Sequence, residues 1–269
     1  MNRVVKLLVY SIVSVSVGSV ISGCGGGSGG SSSSSQYATI TRNNFENAIK
    51  AFSDSSKVAA LVNALWYLRY QSMDKSEGEH SCSKGGKYKV ENISTNQKKV
   101  VFSNCKKNED EISGTLYINE SSKTLRFENI EDKSSDLIIK HTGLSQYPNS
   151  SNTTTNFSSL EVDFKNGNLK LNAKDLELRY SKNSNVENVV FNALVNTNYT
   201  NGWVRITTLN SIQERKNDEC PYTGNIKIMG SSNYINLKFT PSFNVDVYFN
   251  GESSVLHSYN SCKDLPTTK

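Results

Sequence analysis

From Gly86 to its last residues the chain is written almost throughout in period two. The segments GKYKVENI, KKVVFSN, GTLYINE, TLRFENI, DLIIKHT, SSLEVDFKNG, NLKLNA and DLELRYS alternate apolar with polar residues. So do ENVVFNALVN, GWVRITTL, GNIKIMG, YINLKFT, FNVDVYFNG and SVLHSYN, with Asn, Gly, Ser or Asp between one segment and the next. Alternation gives each strand one dry face and one wet face, and short polar links such as Lys165-Asn166-Gly167-Asn168 suit hairpins. The expected sheet is therefore antiparallel, with neighbours in sequence mostly neighbours in space.

One stretch departs from this pattern. TRNNFENAIKAFSDSSKVAALVNALWYLRYQ, Thr41 to Gln71, carries Phe45, Ile49 and Phe52 at helical spacing, then Ser53-Asp54-Ser55-Ser56, then Val58, Leu61, Val62, Leu65, Trp66 and Leu68. The polar tetrad reads as a break between two helices, the first capped by Thr41 or Asn44 and the second by Asp54 or Ser55. The fold class expected is α+β, predominantly β: a short N-terminal helical pair near 42–70, packed on a large curved antiparallel sheet or open barrel. The halves also align, since Cys82 and Cys220 are each followed four residues later by Gly and then by an apolar-Lys-apolar strand. KKVVF further parallels INLKF, and TLYINE parallels DVYFNGE. A duplicated β unit would produce this, and so would chance among alternating strands.

Ahead of the domain lie Arg3 and Lys6, then an uncharged apolar run from Leu7 to Val20. The run is shorter than the ~20 residues of a spanning helix and has the layout of a signal peptide over 1–23. Directly behind it, Ile21-Ser22-Gly23-Cys24 resembles the lipobox of bacterial lipoprotein precursors. The resemblance implies lipidation of Cys24, which becomes the mature N-terminus and holds the chain to a membrane through its acyl chains. Gly25 stands where an Asp would imply retention at the inner membrane, so the implied location is the outer membrane, on its periplasmic or its outer face. The eleven residues Gly25 to Ser35 are only Gly or Ser. With Cys24 they make a tether over 24–36, with an r.m.s. span of roughly 18 Å and a limit near ~38 Å. A single β-rich domain is expected over 37–269. The stretch from Cys82 through VVFSNC to ISGTLYI is also similar to a group of uncharacterised proteobacterial outer-membrane lipoproteins, a resemblance that implies location and fold and supplies no activity.

With Cys24 set aside, Cys82, Cys105, Cys220 and Cys262 remain. An even remainder in an exported chain reads as two disulfides, and of the three pairings the one local to each half, Cys82–Cys105 and Cys220–Cys262, is preferred. The alternative is a metal site at His80-Ser81-Cys82, but the chain has no CxxC, no HxxxH and three His in all, so no metal ligands are expected.

The net charge of +5 falls to +3 once Arg3 and Lys6 are removed, and Lys alternates with Glu and Asp instead of forming a basic stripe. Nucleic acid is not an expected partner. No Gly-x-Ser-x-Gly is present, and no Gly-rich loop joins a strand to a helix. The carboxylate pairs Glu161/Asp163 and Asp175/Glu177 share strand faces, as a glycosidase pair would, yet they alternate with Leu160, Val162, Phe164, Leu176 and Leu178 and read as solvated faces. His141 and His257 read as surface or hydrogen-bonded residues, and Trp66 and Trp203 as core anchors. The polar segment Ser145–Ser159 reads as an exposed loop, with a recognition loop as the sharper alternative.

No catalytic residue and no cofactor is expected, and two functions are left. One is a non-catalytic binding or structural module, membrane-anchored, that meets a protein or glycan through loops at the sheet edge. The other is a carrier or chaperone of a hydrophobic ligand, a lipid or a lipoprotein, held in an open β-barrel. A packed concave face favours the first, and an apolar cavity of several hundred Å³ would favour the second.

Overall fold

A computed structural model describes residues 36–107, 109–146, 152–165, 169–183, 185–215 and 218–268. The signal peptide, the lipobox with Cys24, the Gly/Ser run and Asn166-Gly167-Asn168 lie outside these residues. Fourteen strands form one antiparallel sheet in strict sequence order: β1 (Gly78–Ser81), β2 (Lys87–Ser94), β3 (Gln97–Lys107), β4 (Asp110–Asn119), β5 (Thr124–Lys133), β6 (Leu137–Gln146) and β7 (Asn152–Phe164), followed by β8 (Lys170–Asn183), β9 (Val186–Thr197), β10 (Trp203–Arg215), β11 (Thr223–Met229), β12 (Tyr234–Phe239), β13 (Val245–Phe249) and β14 (His257–Tyr259). The sheet does not close, so β1 and β14 are its edges. Both are short, four and three residues, which limits the unpaired backbone they offer.

The curvature comes from a series of bulges. At Asn104 in β3, Asn129 in β5 and Asp175 in β8 the register slips while the residue takes a positive φ of 48° to 49°. Each bulge adds local twist and bends its strand. The facing strands answer with glycine: a Cβ on Gly114 of β4 would stand 2.4 Å from the Asn129 carbonyl oxygen, and one on Gly143 of β6 would stand 2.2 Å from that of Asn156. At the Asn129 bulge Asn on one strand thus stands against Gly on the next, and together the bulges turn one face of the sheet inward. NLKLNA and DLELRYS, which read as two strands, are the two arms of β8 on either side of the Asp175 bulge.

Into this concave face runs a single helix, α1 (Phe45–Ser72), about 42 Å long at 1.5 Å per residue. The expected break at Ser53-Asp54-Ser55-Ser56 does not occur. Ser55 Oγ donates to the Ala51 carbonyl at 2.6 Å and Ser56 Oγ to that of Ser53 at 3.0 Å, so these two hydroxyls are satisfied within the helix, while Ser53 Oγ is buried without a partner. Nor does Asn44 cap α1; its amide group is bonded to Thr41 N and Thr39 O. Ala51 to Ser56 are all buried, because the sheet covers one side and the C-terminal tail the other. Asp54, 4 % exposed, accepts from the Tyr199 hydroxyl at 2.7 Å, the Thr267 hydroxyl at 2.7 Å, and the Thr268 hydroxyl at 2.6 Å and amide at 3.0 Å. What reads as a helix break in sequence is the anchor for the chain's end.

The core is continuous along the groove: Ile49, Phe52, Val58, Val62 and Trp66 of α1 pack on Phe102, Leu116, Phe127, Phe157, Phe191 and their neighbours. Cys82, directly after β1, is bonded to Cys105 in β3; Cys262, in a 3-10 turn just after β14, is bonded to Cys220, which precedes β11. Each disulfide thus ties an edge of the open sheet to a strand further in. The aligned segments of the two halves fall on two three-stranded meanders, β2-β3-β4 and β11-β12-β13, but one disulfide spans 23 residues and ends within β3, while the other spans 42 and encloses the four strands β11 to β14. The likeness stops at the meander.

Candidate functional site

Two clefts open at opposite ends of α1. The first, of about 200 Å³, lies at its C-terminal end, floored by Trp66, Phe102, Ile112 and Leu116 and walled by Met73, Tyr88 and the Cys82–Cys105 disulfide. Arg69 and Lys107 reach its rim. Arg69 is already engaged, with Asp132 at 2.5 Å and Asp110 at 3.3 Å, and burial pushes the Asp132 carboxyl upward against the pull of that guanidinium.

Beneath the same end of α1 sits His141, 2 % exposed, ringed by Trp66 at 5.8 Å, Phe127 at 5.0 Å and Phe157 at 5.5 Å between ring centroids. Neither ring nitrogen has a hydrogen-bond partner. Burial, with a smaller contribution from Arg69, pushes the imidazole down to about 3. The expectation of a surface or satisfied histidine fails here: His141 occupies an inward position on β6 and is held as a neutral, unpaired ring among aromatics. Trp66 is a core anchor, 2 % exposed, whereas Trp203 is half-buried with the Lys174 ammonium over its ring at 5.0 Å.

The second cleft, of about 270 Å³, lies at the N-terminal end of α1. One wall is the entering segment Gln36–Ile40, which pairs with β10 through Ala38 N to Trp203 O at 2.8 Å and Trp203 N to Gln36 O at 3.0 Å. Asn44 and Asn47 of the helix start and Tyr199, Thr200 and Asn201 of the β9–β10 turn complete it. Its described lining is polar or apolar but nowhere charged. The Tyr199 hydroxyl, bonded to Asp54, has its pKa pushed well above the ordinary tyrosine range, first by burial and then by that carboxylate, so it stays a neutral donor.

The remaining candidates from sequence are dispersed. Asp163 pairs with Lys170 at 3.6 Å, and Glu177 accepts from Asn192 at 2.7 Å and pairs with Arg179 at 3.0 Å; Glu161 and Asp175 are exposed, Asp175 at its bulge. These carboxylates are a solvated strand face. Cys82 is a disulfide sulfur and offers no thiolate, while His80 is bonded to the Ser76 carbonyl at 2.9 Å and stacks on Tyr88. The described residues of Ser145–Ser159 are strand, not loop. They belong to the ends of β6 and β7, with Ser145, Thr153 and Thr155 buried and Ser145 Oγ donating to Asn63 of α1 at 2.5 Å; 147–151 lie outside the described residues. Period-two alternation marked none of these positions, because a threonine inside a groove reads like one outside it.

No helix among the described residues is long and apolar enough to cross a membrane. No family model, no curated protein and no solved structure matches the chain.

Proposed function

We propose that the chain is a lipoprotein of the bacterial envelope, anchored to the outer membrane through Cys24, whose β domain is a non-catalytic binding or structural module. The observation that carries the module reading is the concave face: α1 fills the groove along its length, and Ile49, Ala51, Ala59, Leu116, Phe157 and Phe191 are at most 1 % exposed. A carrier needs that space for its cargo. The test has two parts. Metabolic labelling with a palmitate analogue should mark the wild-type chain and spare Cys24→Ser, which should also leave the membrane fraction; an unlabelled wild type sinks the anchor. Native and denatured masses of the purified protein should agree, with four hydrogens missing for two disulfides.

The apolar cleft beside Trp66 favours the second reading, a carrier of a hydrophobic ligand. At about 200 Å³ it falls below the ~300–1,000 Å³ of sites that enclose drug-sized ligands. Native mass in excess of the chain, extractable into organic solvent, would establish the carrier at the module's expense.

A further inference from the structure

We infer that the cleft at the N-terminal end of α1 is a binding site for a neutral saccharide. The inference deepens the module reading and rests on it. Three properties of the lining carry it. First, none of the described lining residues is charged, and the cations that touch the lining, Lys50 over the Tyr199 ring at 4.4 Å and Arg205 on the Tyr37 hydroxyl at 3.3 Å, are engaged by those tyrosines, so a charged ligand would lose hydration there for little direct pairing. Second, the side chains of Gln36, Asn47 and Asn201 and the hydroxyl of Thr39 make no hydrogen bond among the described residues, although they line the cleft and are exposed. An apolar ligand would bury these groups unpaired, at about 1–3 kcal/mol each. Each amide presents both donors and an acceptor, and a sugar hydroxyl likewise donates and accepts. Third, Tyr37 and Tyr199 place aromatic rings beside those amides; their hydroxyls are already engaged, Tyr37 by Arg205 at 3.3 Å and Tyr199 by Asp54 at 2.7 Å, so what they offer a ligand is ring surface suited to its C–H faces. A volume of about 270 Å³ just below the drug-sized range suits one or two sugar rings.

The site is also held in place. Asn201, at φ 50°, is fixed by Thr200, whose hydroxyl donates to the Gly202 carbonyl at 2.9 Å. Tyr199 is locked by Asp54 and by the Lys50 ammonium 4.4 Å over its ring, and the wall Gln36–Ala38 by its pairing with Trp203. Free amides on rigid supports are what a weak, specific polar ligand needs, because little ordering entropy is lost on binding.

The test uses the full chain in a detergent without a sugar headgroup, probed by saturation-transfer NMR and calorimetry. Probes are methyl α-glucoside, N-acetylglucosamine, their β-linked disaccharides, and glucuronate. Binding of at least one neutral probe is expected, weakened at least ten-fold by Asn47→Leu and by Asn201→Gly, with glucuronate silent. Asn47 is exposed on α1 and Gly accepts the φ of Asn201, so both variants should fold; their far-UV circular dichroism should match wild type. Silence of all neutral probes, equal binding of glucuronate, or wild-type affinity in both variants overturns the site. A chain that is palmitoylated and membrane-bound yet binds no sugar loses the site and keeps the anchored module. Loss of labelling removes the anchor whatever the sugars do.

Discussion

Replacing His141 by Leu should stabilise this protein and remove part of its sensitivity to acid. The neutral imidazole brings one donor and one acceptor into a site where neither is paired, and each such group costs about 1–3 kcal/mol. Leucine has nothing to pair, although it forfeits edge-to-face contacts with Trp66, Phe127 and Phe157, each worth about 0.5–1.5 kcal/mol. A net gain on the order of 1 kcal/mol at pH 7 follows. The pH term is more diagnostic. In the folded chain the ring stays neutral until about pH 3, whereas in the unfolded chain it takes up a proton below 6.5. Between those values the unfolded state binds more protons, so stability falls as pH drops. From pH 7 to pH 5 the loss through this one group is about 2 kcal/mol, and it should vanish in His141→Leu. Urea unfolding followed by tryptophan fluorescence reads both, since Trp66 packs directly on the ring. Parallel pH dependences for wild type and variant would refute the reasoning, because they would mean the imidazole reaches water or a partner.

The other perturbations act on named contacts. Asp54→Ala removes the acceptor shared by Tyr199, Thr267 and Thr268 and should cost about 2–4 kcal/mol in urea unfolding while exposing the C-terminal tail to carboxypeptidase; an unchanged digestion rate would show the tail held by something else. Gly143→Ala sets a Cβ 2.2 Å from the Asn156 carbonyl oxygen and should lower stability by about 2 kcal/mol or more, equivalent to at least ~4–8 °C in melting temperature. Loss of the Cys82–Cys105 and Cys220–Cys262 bonds, one at a time through Cys→Ser pairs, should cost about 3 and about 4 kcal/mol on chain-entropy grounds. Protection of backbone amides in hydrogen exchange should drop first at the edge each bond ties down, and uniform loss over the sheet would count against that role.

Most strands were legible because alternation is a local signal, and the meander order followed because short links leave adjacent pairing as the cheapest closure. What sequence could not supply came from residues that answer to distant partners. Ser53-Asp54-Ser55-Ser56 is a helix break by composition and a helix interior in fact, because Thr267 and Thr268, over 210 positions away, satisfy the carboxylate. Asp175 read as part of a solvated strand face, and nothing local in the sequence marked it, Asn104 or Asn129 as a bulge where a strand bends. β1, Gly-Glu-His-Ser, carries no alternation at all and exists because β2 offers it a free edge. The polar cleft was invisible for the same reason: Gln36, Asn47 and Asn201 are scattered along the chain and are brought together only when α1 lies in the groove.

The positions of the two clefts bear on which function the fold serves. A carrier has to bring its apolar cavity to a bilayer to load or unload. Here the apolar cleft lies at the far end of α1, about 42 Å from the helix start, while the described chain begins at Gln36, in the wall of the polar cleft. An anchor at Cys24, through a Gly/Ser run that reaches at most ~38 Å, would keep the polar cleft near the membrane in every orientation of the domain. At the tether's r.m.s. span of roughly 18 Å the apolar cleft would meet the bilayer only with the domain tilted well over toward it, and only near the ~38 Å limit could the domain turn end-on. Tether geometry therefore favours the polar cleft as the working end. Moving the attachment point by circular permutation, so that the lipid follows β1 instead of preceding Gln36, should leave sugar binding by the free domain unchanged while weakening its capture of any glycan fixed to the membrane.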